Sequence, residues 1–240
     1  MKPGTPQRVL LIIPTYNERE NLSRLIERIP SEPAADLLFV DDRSTDGTAE
    51  WIRGLQARRP GTHLIERPHK MGLGTAYTAG FAWALERGYD FIFEMDADLS
   101  HDPAEIPNLI RRANDGADLV VGSRYVDGIR VINWPLRRLF LSRFASFYTW
   151  FWTGLPLTDP TSGFKCFRRE ALAALDLQRI RSNGYAFQIE VSYCLWRKGF
   201  RLAEVPIVFT DRHQGVSKMN PRIVREAALL VPWLRFAYRG

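Results

Sequence analysis

The chain has 240 residues, of which 45% are hydrophobic and 25% are charged, and its formal net charge is +6. This composition is typical of a globular protein with one large core. Two cysteines are too few for a disulfide framework, so we expect a reducing compartment. Residues 1–8 lack the apolar region of a signal peptide, and the longest aromatic stretch without charge, Phe144–Thr158, has only 15 residues. A spanning helix needs about 20 apolar residues, so we expect a cytoplasmic protein without a transmembrane helix.

Short apolar runs alternate with helical patterns along the first half of the chain. Helical spacing follows the first run up to Pro30, a second helix ends near Arg59, and a small-residue helix covers Thr75–Arg87. Five runs predict strands: Val9–Ile13, Leu37–Val40, Thr62–Glu66, Phe91–Met95 and Asp118–Gly122. The alternation predicts an α/β fold with a mostly parallel sheet and helices on both faces.

The positive charge is concentrated in the second half. Residues 124–146 contain five arginines and one aspartate, and residues 211–240 contain six basic and two acidic residues, so each segment has a net charge of +4. This distribution indicates an acidic partner for the second half. Three kinds of partner fit: phosphate groups, an anionic membrane surface and nucleic acid.

The segment FIFEMDADLSH, at residues 91–101, contains the strongest functional signal. Asp96 and Asp98 follow a buried strand, at the edge where open α/β sheets place their ligands. Two carboxylates this close repel each other, and a hard divalent cation relieves the repulsion. The alternative is a pair of solvated loop acids, with Asp102 capping the next helix. The predicted strand ends at Pro14 and Asp42 converge on the same edge, which favours a ligand site.

A glycine-containing loop at residues 67–74 raises the question of a dinucleotide or ATP site. Gly72 and Gly74 would require a third glycine at position 77, which is Tyr77, and the loop does not follow the first strand. No P-loop pattern is present in the sequence. The glycines therefore indicate a flexible loop that lets backbone approach a ligand, with Lys70 as a substrate-binding candidate beside it. A solvated loop lysine is an equal alternative for Lys70.

Seven segments occur along the chain in a characteristic order: PTYNE, VDDRSTDGT, KMGLGTAY, EMDADLSH, GSRY, TSGF and DRHQGVSK. In combination they resemble the family 2 glycosyltransferases, and more narrowly the polyprenyl-phosphate (dolichyl-phosphate) mannosyltransferases. The resemblance implies a GT-A fold and transfer of mannose from GDP-mannose to a lipid phosphate, with Mg²⁺ or Mn²⁺ as cofactor. We accordingly divide one domain, residues 1–240, into a nucleotide-sugar half (8–125), an acceptor half (126–218) and a C-terminal amphipathic helix (219–240).

The resemblance also implies roles for individual residues on the donor side. Five residues after the first two strands would hold the guanosine: Pro14, Tyr16, Glu18, Val40 and Asp42. Asp96, Ala97 and Asp98 would face the ribose, the diphosphate and the metal. Ser100 occupies a further metal-site position, where close relatives have a glutamine ligand, so a water would substitute there. Arg212 and Lys218 would close over the donor diphosphate.

On the acceptor side, the resemblance implies that Arg124, Arg138 and Ser142 hold the phosphate. Two residues of GYAFQIE match the family pattern without a firm role: Gln188, a candidate for substrate binding, and Glu190. A phosphate monoester is largely ionised at neutral pH, because its second pKa is about 6. Such an acceptor can attack without a general base, in an in-line displacement that inverts the anomeric carbon.

Residues 134–154 predict an amphipathic helix. One stripe of this helix is aromatic: Phe140, Phe144, Phe147, Tyr148 and Phe151. The opposite face carries polar side chains: Arg138, Ser142, Ser146 and Thr149. We interpret the aromatic stripe as a peripheral contact with the cytoplasmic face of a membrane, because an isoprenoid phosphate must be taken from a bilayer. Packing on the protein core is the alternative, and it fits a second, weaker pattern at Ile223–Tyr238 equally well.

Two other functions fit part of the sequence. One is an enzyme of the same fold that uses UDP-glucose or a different acceptor. The other is a basic nucleic-acid-binding protein, whose affinity for DNA or RNA would fall steeply with salt. The acidic pair at a strand end argues against the second function.

Overall fold

A computed structural model of the protein describes residues 7–211 and 221–238, apart from the side chains of residues 221–227. Nine strands occur within these ranges: β1 Val9–Thr15, β2 Ala35–Asp41, β3 Thr62–Glu66, β4 Phe91–Glu94, β5 Leu119–Ser123, β6 Val131–Ile132, β7 Lys165–Arg168, β8 Leu202–Pro206 and β9 Phe209–Thr210. The same ranges contain eight α-helices: α1 Arg19–Arg28, α2 Thr48–Gln56, α3 Leu73–Arg87, α4 Ile106–Asn114, α5 Leu136–Thr153, α6 Arg169–Ala173, α7 Gly184–Arg197 and α8 Pro221–Ala237.

Seven strands form one sheet, in the order β3-β2-β1-β4-β7-β5-β8. All neighbours pair in parallel except β7, which is antiparallel to both β4 and β5. The five predicted strands and the mostly parallel sheet are therefore confirmed. Six strands end at one edge of the sheet, which we call the carboxyl edge. The short strands β6 and β9 pair separately, in parallel.

The core consists of two apolar layers, one on each face of the sheet. Alternation along β1 sends Leu10 and Ile12 to one layer and Leu11 and Ile13 to the other. Buried side chains of α3, α7 and α8 complete the first layer, and those of α1, α2 and α4 complete the second. Helices thus cover both faces, as predicted. The strand ends that carry the motifs meet at the carboxyl edge.

Helix α5 has one face on the protein and one face exposed. Ser146 and Thr149 are buried, as the predicted polar face requires. Four members of the predicted stripe are 57–72% exposed: Phe140, Phe144, Phe147 and Phe151. Tyr148 is half-buried and donates a hydrogen bond of 2.8 Å to the carbonyl oxygen of Ala228 on α8. Core packing is therefore wrong for the stripe as a whole, although it describes Tyr148.

Helix α8 has one face packed in the core and one exposed apolar face, so it combines core packing with a surface available for membrane contact. Val231 and Leu234 are buried in the core, whereas Leu229, Trp233 and Phe236 are 41–71% exposed. The exposed side chains lie on the opposite side of the helix from the buried pair. Within the described residues, no helix is long and apolar enough to cross a bilayer.

Candidate functional site

The acidic pair leaves β4 in a tight turn at the carboxyl edge. Asp98 is 8% exposed, and its Oδ1 accepts hydrogen bonds from the backbone N–H of Ser100 (3.0 Å) and from the Ser100 hydroxyl (2.5 Å). Leu99, between them, has a φ of 64°, which is uncommon for a residue other than glycine. The turn therefore fixes the Asp98 carboxylate, and Ser100 orients it. Direct metal binding by Ser100 stays a prediction.

Asp96 is the more accessible carboxylate of the pair, with 30% of its side chain exposed. The hydroxyl of Tyr77 donates to Asp96 Oδ1 (3.3 Å), and His101 Nε2 lies 3.8 Å from Oδ2. Burial raises the pKa of Tyr77, so this residue stays a neutral donor. A methyl group added at Gly163 would lie 3.4 Å from Asp96 Oδ2 and 3.8 Å from Gln188 Nε2. The structure thus places Gln188 beside the acidic pair, across the TSGF segment.

The donor set at this turn fits a metal that is shared with a substrate. Asp96 and Asp98 offer carboxylate oxygens, which suit Mg²⁺ and Mn²⁺. Among the described residues, no group of three acidic, histidine or cysteine side chains is arranged to hold a metal. In nucleotide enzymes, Mg²⁺ is commonly held by one or two carboxylates together with substrate phosphates and waters. The residues present fit that arrangement rather than a metal site made of protein ligands alone.

Asp42, directly after β2, holds the glycine-containing loop (residues 67–74) in place. Its carboxylate forms an ion pair with buried Arg67 and accepts hydrogen bonds from the backbone N–H groups of Met71 (3.2 Å) and Gly72 (3.3 Å). Arg67 also donates to Thr75 Oγ1 at the start of α3 (2.6 Å). Sequence analysis missed Arg67. A direct contact between Asp42 and guanosine stays a prediction, whereas its hold on the loop is observed.

Gly72 and Gly74 serve different purposes. Gly72 has a φ of +101°, so this position favours glycine on backbone grounds. A Cβ at Gly74 would lie 2.5 Å from the carbonyl oxygen of Ser182. Gly74 therefore permits close packing of α3 within the protein, and the approach of its backbone to a ligand stays a prediction.

The remaining nucleotide-side candidates gather around the ends of β1, β2 and β4. Lys70 Nζ lies 3.9 Å from the ring centroid of Tyr16, so two predicted residues are in contact. Pro14 and Glu18 are half-buried at the end of β1 and in the loop after it. Two candidates are buried as whole residues, Val40 (0% exposed) and Ala97 (3%), so their contact with a nucleotide stays a prediction.

The loops after β1 and β2 are fastened to each other by residues that sequence analysis did not single out. Asp41 accepts hydrogen bonds from Thr15 Oγ1 (2.8 Å) and from the Ser44 backbone N–H (2.8 Å). Asn17 Oδ1 accepts one from the Thr45 backbone N–H (2.8 Å). The PTYNE and VDDRSTDGT motifs therefore form one cross-linked wall of the site.

Arg124 follows β5 and is held rigidly. Its Nε and Nη2 donate to the buried Asp159 carboxylate at 2.6 and 2.5 Å, and Nη2 also donates to Thr161 Oγ1 at 2.8 Å. Burial alone would lower the pKa of Arg124, but the Asp159 charge outweighs it and the pKa is raised. Arg124 is therefore a permanent cation. Thr161 lies two residues before Gly163, so the TSGF segment links this cation to Asp96.

Arg138 and Ser142 lie near Arg124 on the protein face of α5. Trp134 stands between the two arginines: its ring centroid is 4.1 Å from Arg138 Cζ and 5.3 Å from Arg124 Cζ. Arg138 Nη1 also donates to Asp211 Oδ1 at 2.7 Å. The structure thus brings together the three residues that sequence analysis predicted for the acceptor. Arg212 and Lys218, predicted for the donor diphosphate, lie outside the described residues.

An apolar groove of about 170 Å³ adjoins this cluster, between α5, α7 and α8. Arg124, Trp134, Arg138 and Ser142 line it together with apolar side chains that continue along the helices: Leu141, Phe144, Ala145, Tyr148, Ile189 and Val231. We call it the acceptor groove. It combines a hydrocarbon-like wall with two arginines at its border, which suits a ligand with an anionic head and an apolar tail.

Comparisons with known proteins identify the family of this chain. Residues 10–176 match the family model described as glycosyl transferase family 2. The chain is 48% identical over 227 residues to the polyprenol monophosphomannose synthase of Mycolicibacterium smegmatis, covering 94% of this chain and 86% of that protein. It is 47% identical over 225 residues to the undecaprenyl-phosphate mannosyltransferase of Micrococcus luteus, covering 93% and 92%.

The fold also resembles a solved structure. The glucosyl-3-phosphoglycerate synthase of Mycobacterium tuberculosis, in complex with Mn²⁺, UDP and glucosyl-3-phosphoglycerate, superposes with a TM-score of 0.69. The identity is 17%, and the match covers 96% of this chain and 80% of that chain. This likeness confirms the predicted GT-A fold, and the family match favours an enzyme over a nucleic-acid-binding protein.

Proposed function

Because this chain belongs to glycosyltransferase family 2, we propose that it transfers mannose from GDP-mannose to a polyprenyl (dolichyl) phosphate. The products would be polyprenyl-phosphate mannose and GDP, with inversion at the anomeric carbon. The names of the two bacterial relatives support both the sugar and the lipid phosphate. Neither of these two names supports UDP-glucose, the donor considered as an alternative.

The acceptor groove is the observation that carries this proposal. Arg124 and Arg138 provide positive charge for a phosphate, and the apolar wall accepts isoprenoid carbon. A soluble sugar acceptor would gain nothing from that wall, and a lipid alcohol has no anionic group for the two arginines. The link from Arg124 through Thr161 to Gly163, beside Asp96, supports a phosphate position near the acidic pair.

The chemistry of the site requires charge stabilisation more than proton transfer. Mg²⁺ or Mn²⁺ on Asp96 and Asp98, when bound with the donor, would neutralise the leaving diphosphate. Ser100 holds the Asp98 carboxylate in place for that task. The acceptor is already ionised, because the second pKa of a phosphate monoester is about 6. The protein therefore positions two anions for in-line attack and needs no general base.

We also propose that the enzyme works on an anionic membrane surface without spanning it. Exposed aromatic side chains of α5 and α8 lie on helices that form the acceptor groove. Arg137 and Arg143 are exposed on α5 near the stripe, where they would meet anionic headgroups. A lipid phosphate could then pass from the bilayer into the groove without entering water.

A donor and acceptor panel tests the proposal. Purified protein would be incubated with GDP-mannose, UDP-glucose or other sugar nucleotides, with Mn²⁺ or Mg²⁺ and a short polyprenyl phosphate. Of the donors in the panel, we expect only GDP-mannose to give a glycolipid product. We expect no product when a chelator removes the metal. A glucolipid from UDP-glucose, or mannose transfer to an alcohol in place of the phosphate, would refute the proposed reaction.

A further inference from the structure

The two arginines of the acceptor groove are each paired with an aspartate, but the two pairs differ in kind. The guanidinium group of Arg124 donates two hydrogen bonds to the Asp159 carboxylate, its backbone N–H donates a third, and Asp159 is completely buried. Arg138 Nη1 donates a hydrogen bond of 2.7 Å to Asp211, and the two side chains are 20% and 26% exposed. A buried bidentate pair is a fixed part of the fold, whereas a pair that solvent can reach can exchange its partner.

The backbone places Asp211 beside Arg138. The backbone N–H of Asp211 donates to the carbonyl oxygen of Ile132 at 3.1 Å, next to the pairing of β6 with β9. Ile132 lies shortly before Trp134 and the start of α5. The same short ribbon therefore positions the carboxylate and the helix that carries Arg138.

Trp134 provides a second, independent observation. Its Nε1–H is buried and has no hydrogen-bond acceptor among the described residues. The ring contacts both guanidinium groups and lines the acceptor groove. A buried donor without an acceptor costs free energy, so an additional acceptor oxygen at this place would be stabilised. Arg124, Arg138 and the indole N–H of Trp134 are therefore three candidate donors to a bound anion, in addition to the contacts that the two arginines make with their aspartates.

We propose that Asp211 is an exchangeable counter-ion of the acceptor site. The acceptor phosphate replaces Asp211 on Arg138 when it binds, and Asp211 returns to Arg138 when the product leaves. This inference rests on the proposed function, in which the acceptor is a phosphate monoester. It makes Asp211 a residue that sets acceptor affinity and product release, rather than one that takes part in the chemical step.

The charges favour exchange in the required direction at each stage. A phosphate monoester carries close to two negative charges at neutral pH, against one for a carboxylate. During transfer, an acceptor oxygen bonds to C1 of mannose, while the bond from C1 to the diphosphate breaks and its electron pair leaves with GDP. The lipid phosphate becomes a diester with one negative charge, GDP gains one, and no proton moves. The product therefore has no charge advantage over Asp211.

The variant Asp211→Asn tests the exchange by removing the competing charge. We expect the KM for polyprenyl phosphate and the inhibition constant of the mannolipid product both to fall by about two- to five-fold, the range for a partly exposed ion pair. Asp211→Glu restores the charge and should return both values towards those of the wild type. The dissociation constant of GDP-mannose should not change.

Asp127→Asn is the matched control. Asp127 is an exposed aspartate paired with Arg130 at 2.6 Å, and it does not line the acceptor groove. The substitution makes the same change in net charge, so an equal fall in KM would show a general electrostatic effect and overturn the proposal. An unchanged or raised acceptor KM in Asp211→Asn would overturn it too, because Asp211 would then merely support Arg138.

Direct binding separates this inference from the proposed function. The short polyprenyl phosphate is titrated into wild type and Asp211→Asn in detergent, without donor. If the wild type binds the lipid but transfers no mannose, the proposed reaction fails, and the ratio of the two dissociation constants still tests the exchange. Tighter binding by Asp211→Asn supports the exchange, and equal or weaker binding refutes it.

Discussion

Glu94 and Lys165 face each other in the antiparallel pair of β4 and β7, directly below the acidic turn, and both are fully buried. Burial raises the pKa of Glu94 to about 7 and lowers that of Lys165 to about 8, and each charge partly offsets the effect on the other. Lys165 also donates to the carbonyl oxygen of Gln188 (2.6 Å) and to Ser192 Oγ (2.8 Å). The pair thus connects the strand of the acidic turn to α7.

The first prediction is that Glu94 and Lys165 stabilise the fold jointly, so that their contributions to the free energy of unfolding are coupled. Glu94→Gln and Lys165→Met should each lower the free energy of unfolding by about 1–3 kcal/mol, because each removes the charge that partly offsets the burial of the other group. The double variant should lose much less than the sum. Urea denaturation of all four proteins measures the coupling, and additive losses would show that the two charges do not interact.

Local patterns in the sequence were sufficient for the sheet and the acidic turn. The runs that became β1, β2, β4 and β5 are mostly apolar and bounded by turn residues, the run that became β3 is weaker, and Asp96 and Asp98 follow β4 closely. The two-faced character of α5 was also predictable, because helical spacing separates its aromatic and polar side chains. Each of these features depends on residues close together in the chain.

The missed residues depend on partners far away in the sequence. Arg67, Asp159 and Lys165 stand in short segments without periodicity, and each matters through a contact with another strand end or helix. The four-residue strand β7 lies between β4 and β5 although it follows both in sequence. No local pattern specifies such an insertion, so the buried pair of Glu94 and Lys165 could not be predicted.

The second prediction concerns metal binding by the acidic turn. Asp98→Asn should lower turnover by more than about 100-fold, since loss of an outer-shell partner alone can cost up to that much. An amide is a poor ligand for a hard cation, but it can keep the hydrogen bonds from Ser100, so the fold should survive. Initial rates across a Mn²⁺ titration and a thermal melt measure the two effects.

Asp102→Asn is the matched control for that experiment. Asp102 lies in the same loop, and its Oδ1 accepts a hydrogen bond from the backbone N–H of Ala104 (3.1 Å), the capping role considered from the sequence. Asparagine caps helices as well as aspartate does, so activity should remain. Full activity of Asp98→Asn at any metal concentration would remove Asp98 from the metal site.

The third prediction is that the exposed stripe of α5 binds membranes. Wild type should sediment with anionic vesicles at low salt and be partly released as salt rises, because screening acts over about 10 Å at 0.1 M. A double change, Phe147→Ser with Phe151→Ser, should abolish sedimentation without affecting GDP-mannose binding. Ile129→Ser, which alters an equally exposed apolar side chain outside α5, is the control. Sedimentation of the double variant equal to wild type would contradict the membrane role of the stripe.

The last prediction tests which substrate Arg138 serves. Arg138→Ala should raise the KM for polyprenyl phosphate by roughly ten- to hundred-fold, the expected effect of losing a charge-assisted hydrogen bond, and should also lower kcat. Arg138→Lys should recover only part of the loss, because lysine cannot reproduce the planar fork or its stacking on Trp134. The affinity for GDP-mannose should stay nearly constant, since the residues predicted for the guanosine and the metal lie at the ends of β1 and β2 and in the acidic turn.

Arg137→Ala provides the matched control, because Arg137 precedes Arg138 on the same helix but is exposed and does not line the acceptor groove. It removes the same charge, so a comparable rise in acceptor KM would mean that the overall field of α5, rather than contact in the groove, attracts the lipid. Calorimetric titration with GDP-mannose and acceptor kinetics in detergent separate the two substrates. If donor affinity collapses in Arg138→Ala while the acceptor KM is unchanged, then Arg138 acts on the donor, and the groove must hold something other than the acceptor phosphate.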